Sequence, residues 1–291
     1  MAEILKGAPV AAAISEKLKE KCAGLKSEGV FPTLAIVRAG ERPDDLAYER
    51  AAIKRMEGIG IAVRQFVVPT DGSCENDYRK QLPEMIKEIN LDPDIHGCLL
   101  FRPLPDKELE KQICKLLLPE KDMDCMTDGS LAGVFSGSGV GYPPCTAQAV
   151  IELCDHYGIE LAGKNIAVIG RSLVIGRPVA MLLMQRNATV TICHTRTRNM
   201  PEICRNSDII VAAAGSAHLV TAEYVHEGQI IIDVGINVAE DGTMSGDVDA
   251  ASVDSIVSKL TPVPGGVGSV TTAVLARHVI EAAGLLLSRK E

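Results

Sequence analysis

The sequence predicts an α/β fold of two domains, an N-terminal α/β domain and a C-terminal domain built on a doubly wound parallel sheet. Three observations lead there. Short runs rich in Ile and Val alternate with runs of helical periodicity from end to end, the pattern of strands joined by crossover helices. A stretch rich in Gly and Pro, 119–146, interrupts that alternation as a crossing between domains would. The chain has 291 residues, enough for two cores of moderate size.

The elements follow in order. "MAEILKGAPVAAAISEKLKEKC" carries charges through its apolar stretch, so it reads as a strand then a helix and not as a signal peptide. In the first half, strands are expected at 33–39, 61–68 and 95–101, with helices at about 9–27, 44–58 and 74–90. The stretch 119–146, "PEKDMDCMTDGSLAGVFSGSGVGYPPCT", reads as irregular. Beyond it "NIAVIG", "TVTICH", "DIIVAAA" and "QIIIDVG" read as strands alternating with short helices. A long apolar helix, 270–288, closes the chain. The expected domains are therefore 1–145 and 146–269, with 270–291 packing back on the first.

Composition narrows the function. With 46% hydrophobic and 23% charged residues the chain is globular. A net charge of −8 and 3% aromatic residues argue against nucleic acid, which calls for a basic stripe or stacking rings. No apolar run approaches the length of a membrane span. Nine cysteines without a C-x-x-C pair suggest neither a disulfide framework nor zinc, and point to a reducing cytoplasm. Cys193 and His194 are adjacent on an extended segment and point to opposite faces, so no metal site is expected there.

The stretch "NIAVIGRSLVIGRP" runs from a strand straight into a helix, whose unpaired N–H groups attract phosphate. Gly170 permits the turn at the strand end, and Gly176 the close approach of helix and sheet. Arg171-Ser172 stands where a second fingerprint glycine would be. By itself such a glycine pair also suits a packing device in a sheet that binds nothing. The next strand ends "CHTRTR", with Thr195, Arg196, Thr197 and Arg198 where an NAD fold places a ribose-binding acid. Cations and donors suit a 2′-phosphate, so the expected cofactor is NADP and the second domain is expected to be Rossmann-like.

The motifs "GRSLVIGRP", "NATVTICHTRT", "SDIIVAAAG", "IIIDVGIN", "GDVD" and "TPVPGGVGSVT" closely resemble those of the bifunctional methylenetetrahydrofolate dehydrogenase/methenyltetrahydrofolate cyclohydrolase family (FolD type). The resemblance spans the chain. It implies a homodimer of two-domain subunits, with a cleft between the domains, NADP(H) on the second domain and a folate against the first. It assigns the cofactor to Gly170, Arg171, Ser172, Gly176, Thr195 and Arg196, with Ile236 at the nicotinamide half. Tyr48 and Asp124 become the catalytic and substrate residues, and Pro264, Gly265, Gly266 and Val267 form the wall where folate and nicotinamide meet.

Two departures stand out. The family's catalytic helix reads Y-x-x-x-K, whereas "LAYERAAIKR" keeps Tyr48 and has Ala52 at the lysine. The family strand end "V-Q-L-P-L-P" supplies a glutamine, and here "L-F-R-P-L-P" puts Phe101 in its place. Tyr48 and Ala52 lie about 40° apart on a helix, while Arg50 and Lys54 are roughly 200° from Ala52 and face away. Glu49 is closer in direction but of the wrong charge, and Arg102 points to the other side of an extended segment. Hydride transfer from a folate methylene needs near-attack geometry and no proton transfer. Hydrolysis of the resulting methenyl cation needs a positioned acid–base group. The expectation is thus an NADP-dependent methylenetetrahydrofolate dehydrogenase with cyclohydrolase weak or lost. The alternatives are a full bifunctional enzyme with a substitute acid–base group, and a non-catalytic paralogue that binds folate or nucleotide.

Overall fold

The computed structural model describes residues 1–70, 77–239 and 241–288. They divide into two compact units, one formed by Ala13–Pro143 with the C-terminal segment from Thr272, the other by Met1–Ala12 and Pro144–Thr271. The first strand, β1 (Glu3–Ile4), pairs within the sheet of the second unit. The first 12 residues therefore belong there, and not to a contiguous 1–145 domain.

The smaller sheet has three parallel strands, β2 (Thr33–Ala39), β3 (Ala62–Val68) and β4 (Gly97–Leu100), in the order β3-β2-β4. All seven residues of β2 are buried, which is why "TLAIVRA" reads as a nearly continuous apolar run. Ala35, Val37, Leu82, Ile86, Ile89 and Ile113 share a core on one face of this sheet. The helix Pro43–Ile59 starts with Pro in its first turn, where the missing N–H costs nothing, followed by Asp44 and Asp45. It ends at Gly60, whose φ of 98° closes the last turn in the left-handed region. The helix expected over 74–90 spans Tyr78–Leu91; positions 74–76 lie outside the described residues.

Two helices depart from the sequence reading. Lys107–Leu116 is capped by Asp106, whose Oδ1 accepts the N–H groups of Glu108 (2.9 Å) and Leu109 (3.1 Å). Inside the stretch expected to be irregular, Pro119–Lys121 forms a 3₁₀ turn and Asp128–Ser136 an α-helix capped by Thr127. The glycines there serve packing as much as turning. A Cβ on Gly133 would collide with the carbonyl oxygen of Val140.

The larger sheet comprises six strands joined by parallel pairings. In addition to β1 it contains β5 (Asn165–Ile169), β6 (Thr189–Cys193), β7 (Ile209–Ala212), β8 (Ile230–Asp233) and β11 (Lys259–Leu260). Their order is β6-β5-β7-β8-β11-β1, so the order in which strands are added across the sheet reverses between β5 and β7. Two short strands, β9 (Asn237–Val238) and β10 (Met244–Ser245), pair antiparallel outside it. The closing helix, Thr271–Ser288, belongs from Thr272 onward to the three-stranded unit, where His278 Nδ1 lies 3.0 Å from the carbonyl oxygen of Met123.

Candidate active site

In the three-stranded unit, the helix Pro43–Ile59 carries Tyr48 half-buried, with Arg50 and Lys54 exposed. Ala52 has no exposed surface. The Tyr48 and Phe101 rings meet edge to face, with centroids 6.0 Å apart and an interplanar angle of 79°. Phe101 follows β4 and its N–H donates to Val37 O of β2 at 2.9 Å, which places its backbone at the carboxyl edge of the sheet. Tyr48 and Phe101 thus meet as an aromatic pair, and Ala52 is enclosed on the helix that carries Tyr48.

The same helix contributes Glu49 to a polar cluster that sequence reading missed. Arg38 Nε donates to Glu49 Oε2 at 3.0 Å, and Gln65 Nε2 to Glu49 Oε1 at 2.9 Å. Arg38 Nη1 donates to Gly40 O. Nearby, burial pushes the Asp45 carboxyl above its ordinary range, opposed by the Arg42 guanidinium. The available signal was a lone arginine inside an otherwise apolar strand, facing a helix that carries a glutamate.

Asp124 is half-buried and sits on a turn folded around Asp122. The fully buried Asp122 carboxylate accepts the N–H groups of Met126 (3.0 Å) and Thr127 (2.8 Å). Cys125, at φ 58°, completes the turn in the left-handed region. The first carboxylate of "KDMD" thus shapes the backbone of the turn that carries the second.

In the six-stranded unit, the loop Gly170–Ile175 lies where the strand order reverses, the usual ligand crevice of a doubly wound sheet. Gly170 has φ 128°, and a Cβ there would collide with the carbonyl oxygen of Ala213. A Cβ on Gly176 would collide with the carbonyl oxygen of Gly170. Both glycines are thus required by close backbone approach, as expected of a phosphate loop. Ser172 Oγ accepts the N–H of Ile175 at 3.1 Å and shapes the entry to the helix Gly176–Gln185. Arg171, Thr195, Arg196 and Arg198 are exposed. Thr197 differs, because its hydroxyl accepts the N–H of His194 at 2.9 Å. The Arg196 N–H donates to His194 Nδ1 at 3.1 Å, so this turn is preformed. Cys193 is buried in the core, away from His194's partners.

A cavity of about 220 Å³ is lined by Ile236, Met244, Pro264, Gly265, Gly266 and Val267, among others. Ile236 is 59% exposed. The Gly7 N–H donates to Gly265 O at 2.8 Å, so the N-terminal segment braces this wall, a role not readable from either stretch alone. Two buried carboxylates hold the remaining loops. Asp247 accepts the N–H groups of Ala214 (2.6 Å), Gly215 (3.0 Å) and Ser216 (2.8 Å), and Asn237 Nδ2 (3.0 Å). Asp233 accepts those of Gly235, Asp247 and Val248 at 3.0–3.1 Å. Burial nevertheless pushes Asp233 up to about 6, with the three N–H groups pulling the other way.

Two family models match the chain, one in each half. Residues 5–124 match the family model for the tetrahydrofolate dehydrogenase/cyclohydrolase catalytic domain, and residues 144–286 that for its NAD(P)-binding domain. The bifunctional protein FolD of Carboxydothermus hydrogenoformans is 51% identical over 98% of this chain and 99% of its own. Among solved structures, the bifunctional FolD enzyme of Campylobacter jejuni superposes with a TM-score of 0.92 at 35% identity, over 98% of this chain and 100% of that one. The Trypanosoma brucei FolD, complexed with NADP and an inhibitor, gives 0.89 at 31% identity over 98% of each.

Proposed function

The chain belongs to the tetrahydrofolate dehydrogenase/cyclohydrolase family, and from that premise we propose that it is an NADP-dependent methylenetetrahydrofolate dehydrogenase of one-carbon metabolism whose cyclohydrolase activity is weak or lost. The observation that carries the second half is buried Ala52 and Phe101: no titratable group stands at the two positions that the resemblance assigns to an acid–base pair.

The six-stranded unit fits a dinucleotide. Gly170 and Gly176 leave room that a Cβ would fill, at the start of a helix whose N–H groups suit a pyrophosphate. Exposed Arg171, Thr195 and Arg196 suit the additional 2′-phosphate, while Ser172 shapes the loop. Ile236 and the wall Pro264–Val267 give the nicotinamide half an apolar surface. When bound, NADP⁺ supplies the hydride acceptor.

The folate is assigned to the three-stranded unit. The Tyr48 and Phe101 rings offer a flat pterin or benzoyl group an apolar contact, and Asp124 accepts pterin N–H groups and so orients the ring. Loss of hydride leaves a delocalised methenyl cation, and that step asks these residues only for orientation. Hydrolysis asks for more. A water must lose a proton and a ring nitrogen must gain one, and neither Ala52 nor Phe101 can carry a proton. In this reading the subunit works as a homodimer.

The relatives' description as bifunctional favours a second reading, in which another group serves the hydrolysis. One assay separates them: purified protein with methylenetetrahydrofolate and NADP⁺, followed at the nicotinamide and methenyl absorbances together. NADPH formed with methenyl product accumulating supports the proposal. NADPH formed without accumulation supports the bifunctional reading. Folate binding without NADPH formation overturns both and leaves a binding paralogue.

A further inference from the structure

The motif "GDVD" places Asp247 where it has no exposed surface, yet its carboxylate holds an exposed loop. Oδ2 accepts the N–H groups of Ala214 (2.6 Å) and Gly215 (3.0 Å), and Oδ1 that of Ser216 (2.8 Å). All three residues are exposed, and Gly215, at φ 65°, turns the chain in the left-handed region. Oδ1 also accepts Asn237 Nδ2 at 3.0 Å. One carboxylate thus joins the loop after β7 to the segment after β8.

Asp247 is itself fixed on two sides. Its N–H donates to Asp233 Oδ1 at 3.1 Å, and its carbonyl oxygen accepts the Val220 N–H at 2.9 Å. A Cβ on Gly235 would collide with the Asp247 carboxyl group, which therefore packs directly against the backbone next to Ile236. β5, β7 and β8 are neighbours in a parallel sheet, so the loops that follow them share its carboxyl edge, beside the point where the strand order reverses. The Ala213 N–H donates to Ile169 O at 2.8 Å, and Ala213 O is the atom that a Cβ on Gly170 would strike. The loop held by Asp247 therefore adjoins the glycine loop on one side, and is tied on the other to the segment whose Gly235 and Ile236 line the cavity.

Three successive N–H groups turned to one anion form a concavity of the kind that holds phosphate. Here the protein's own carboxylate occupies it. Phosphate is left to the loop Gly170–Ile175 and the helix that follows, while the loop after β7 is held in one shape.

On the cofactor site assigned above, we propose that Asp247 is a positioning residue for the nicotinamide half of NADP⁺, setting the loop Ala214–Ser216 and the segment Gly235–Asn237 at one fixed separation.

The test uses Asp247→Asn in the full-length protein. The amide keeps the volume but offers one acceptor oxygen to four donors. Hydrogen exchange of the Ala214, Gly215 and Ser216 amides should quicken about tenfold or more. By calorimetry NADP⁺ should bind about tenfold more weakly, whereas adenosine 2′,5′-bisphosphate, which lacks the nicotinamide half, should bind as it does to the native chain. Faster exchange without weaker NADP⁺ binding, or the reverse, would overturn the proposal, as would equal weakening of NADP⁺ and the bisphosphate. Asn237→Ala, which releases only the segment after β8, should show the same selective weakening at a retained Tm. It decides alone if Asp247→Asn does not fold, and native NADP⁺ affinity in it would overturn the tie. A native protein that binds NAD⁺ and not NADP⁺ would fail the 2′-phosphate assignment and not this inference, and NAD⁺ and AMP then serve as the two probes. Binding of neither dinucleotide would overturn the inference together with the cofactor site.

Discussion

Restoring the acid–base pair should require two substitutions, and the structure says why one is insufficient. Ala52 has no exposed surface, so a lysine placed there is withdrawn from water. A fully buried ammonium loses about 3–5 pKa units, or about 4–7 kcal/mol in favour of the neutral amine. Glu49 stands three residues away on the same helix, but Arg38 and Gln65 already occupy its two oxygens. Ala52→Lys alone should therefore give a neutral amine and little hydrolysis, with an overpacking cost of about 1–3 kcal/mol. Phe101→Gln alone removes the edge-to-face contact with Tyr48, worth about 0.5–1.5 kcal/mol, and supplies no proton carrier. Together, the amide oxygen accepts from the ammonium, a charged hydrogen bond worth roughly 1.5–3 kcal/mol. The double variant should then hydrolyse methenyltetrahydrofolate about 10²–10⁴-fold faster than either single one, a non-additive gain. The assay is the decay of methenyl absorbance against the buffer rate, with Tm measured for each protein. Native hydrolysis far above the buffer rate would refute the reasoning, as would Ala52→Lys alone giving the full gain.

Three further outcomes are expected. Arg171→Ala or Arg196→Ala should raise the KM for NADP⁺ about tenfold and leave that for NAD⁺ little changed, since only the 2′-phosphate loses a charged partner; equal weakening of both would reject the assignment. Asp124→Ala should weaken folate binding by about 1–3 kcal/mol and leave cofactor binding intact, measured by calorimetry with each ligand separately; unchanged folate affinity would make Asp124 a loop acid. Asp233, raised by burial to about 6, holds its proton more tightly folded than unfolded, so its contribution to stability is full below the ordinary carboxylate range and is lost as pH rises through 6. The Tm advantage of the native chain over Asp233→Asn should therefore shrink between about pH 4 and pH 8, by the equivalent of about 3 kcal/mol. A constant or widening gap would show that Asp233 is not the group responsible.

What could be read from the sequence depended on how locally each feature was encoded. β2, β5, β7 and β8 carry their own signal, because a parallel strand buried on both faces must be apolar throughout. The N-terminal strand was also expected, but its place was not, because β1 pairs with β11 and joins Ile4 to Leu260, positions unrelated until the sheet exists. The helix Asp128–Ser136 was hidden by its glycines, which suggest a loop until the Val140 carbonyl is seen against Gly133.

The site divides in the same way. Gly170 and Gly176 announce a phosphate loop because backbone approach restricts both positions to glycine, and that restriction is local. Asp233 and Asp247 look like ordinary loop acids, and only the folded chain gathers seven donors around them. Arg38 and Glu49 are the instructive pair. Read separately, one is a charge misplaced in a strand and the other a carboxylate of the wrong sign for an ammonium's place. Joined at 3.0 Å they neutralise each other, and elsewhere on the same helix and sheet Tyr48 and Phe101 meet as an aromatic wall. A wall of that kind can orient a folate for hydride loss without offering its cation a base, which is why the two activities should separate here along the line between orientation and proton transfer.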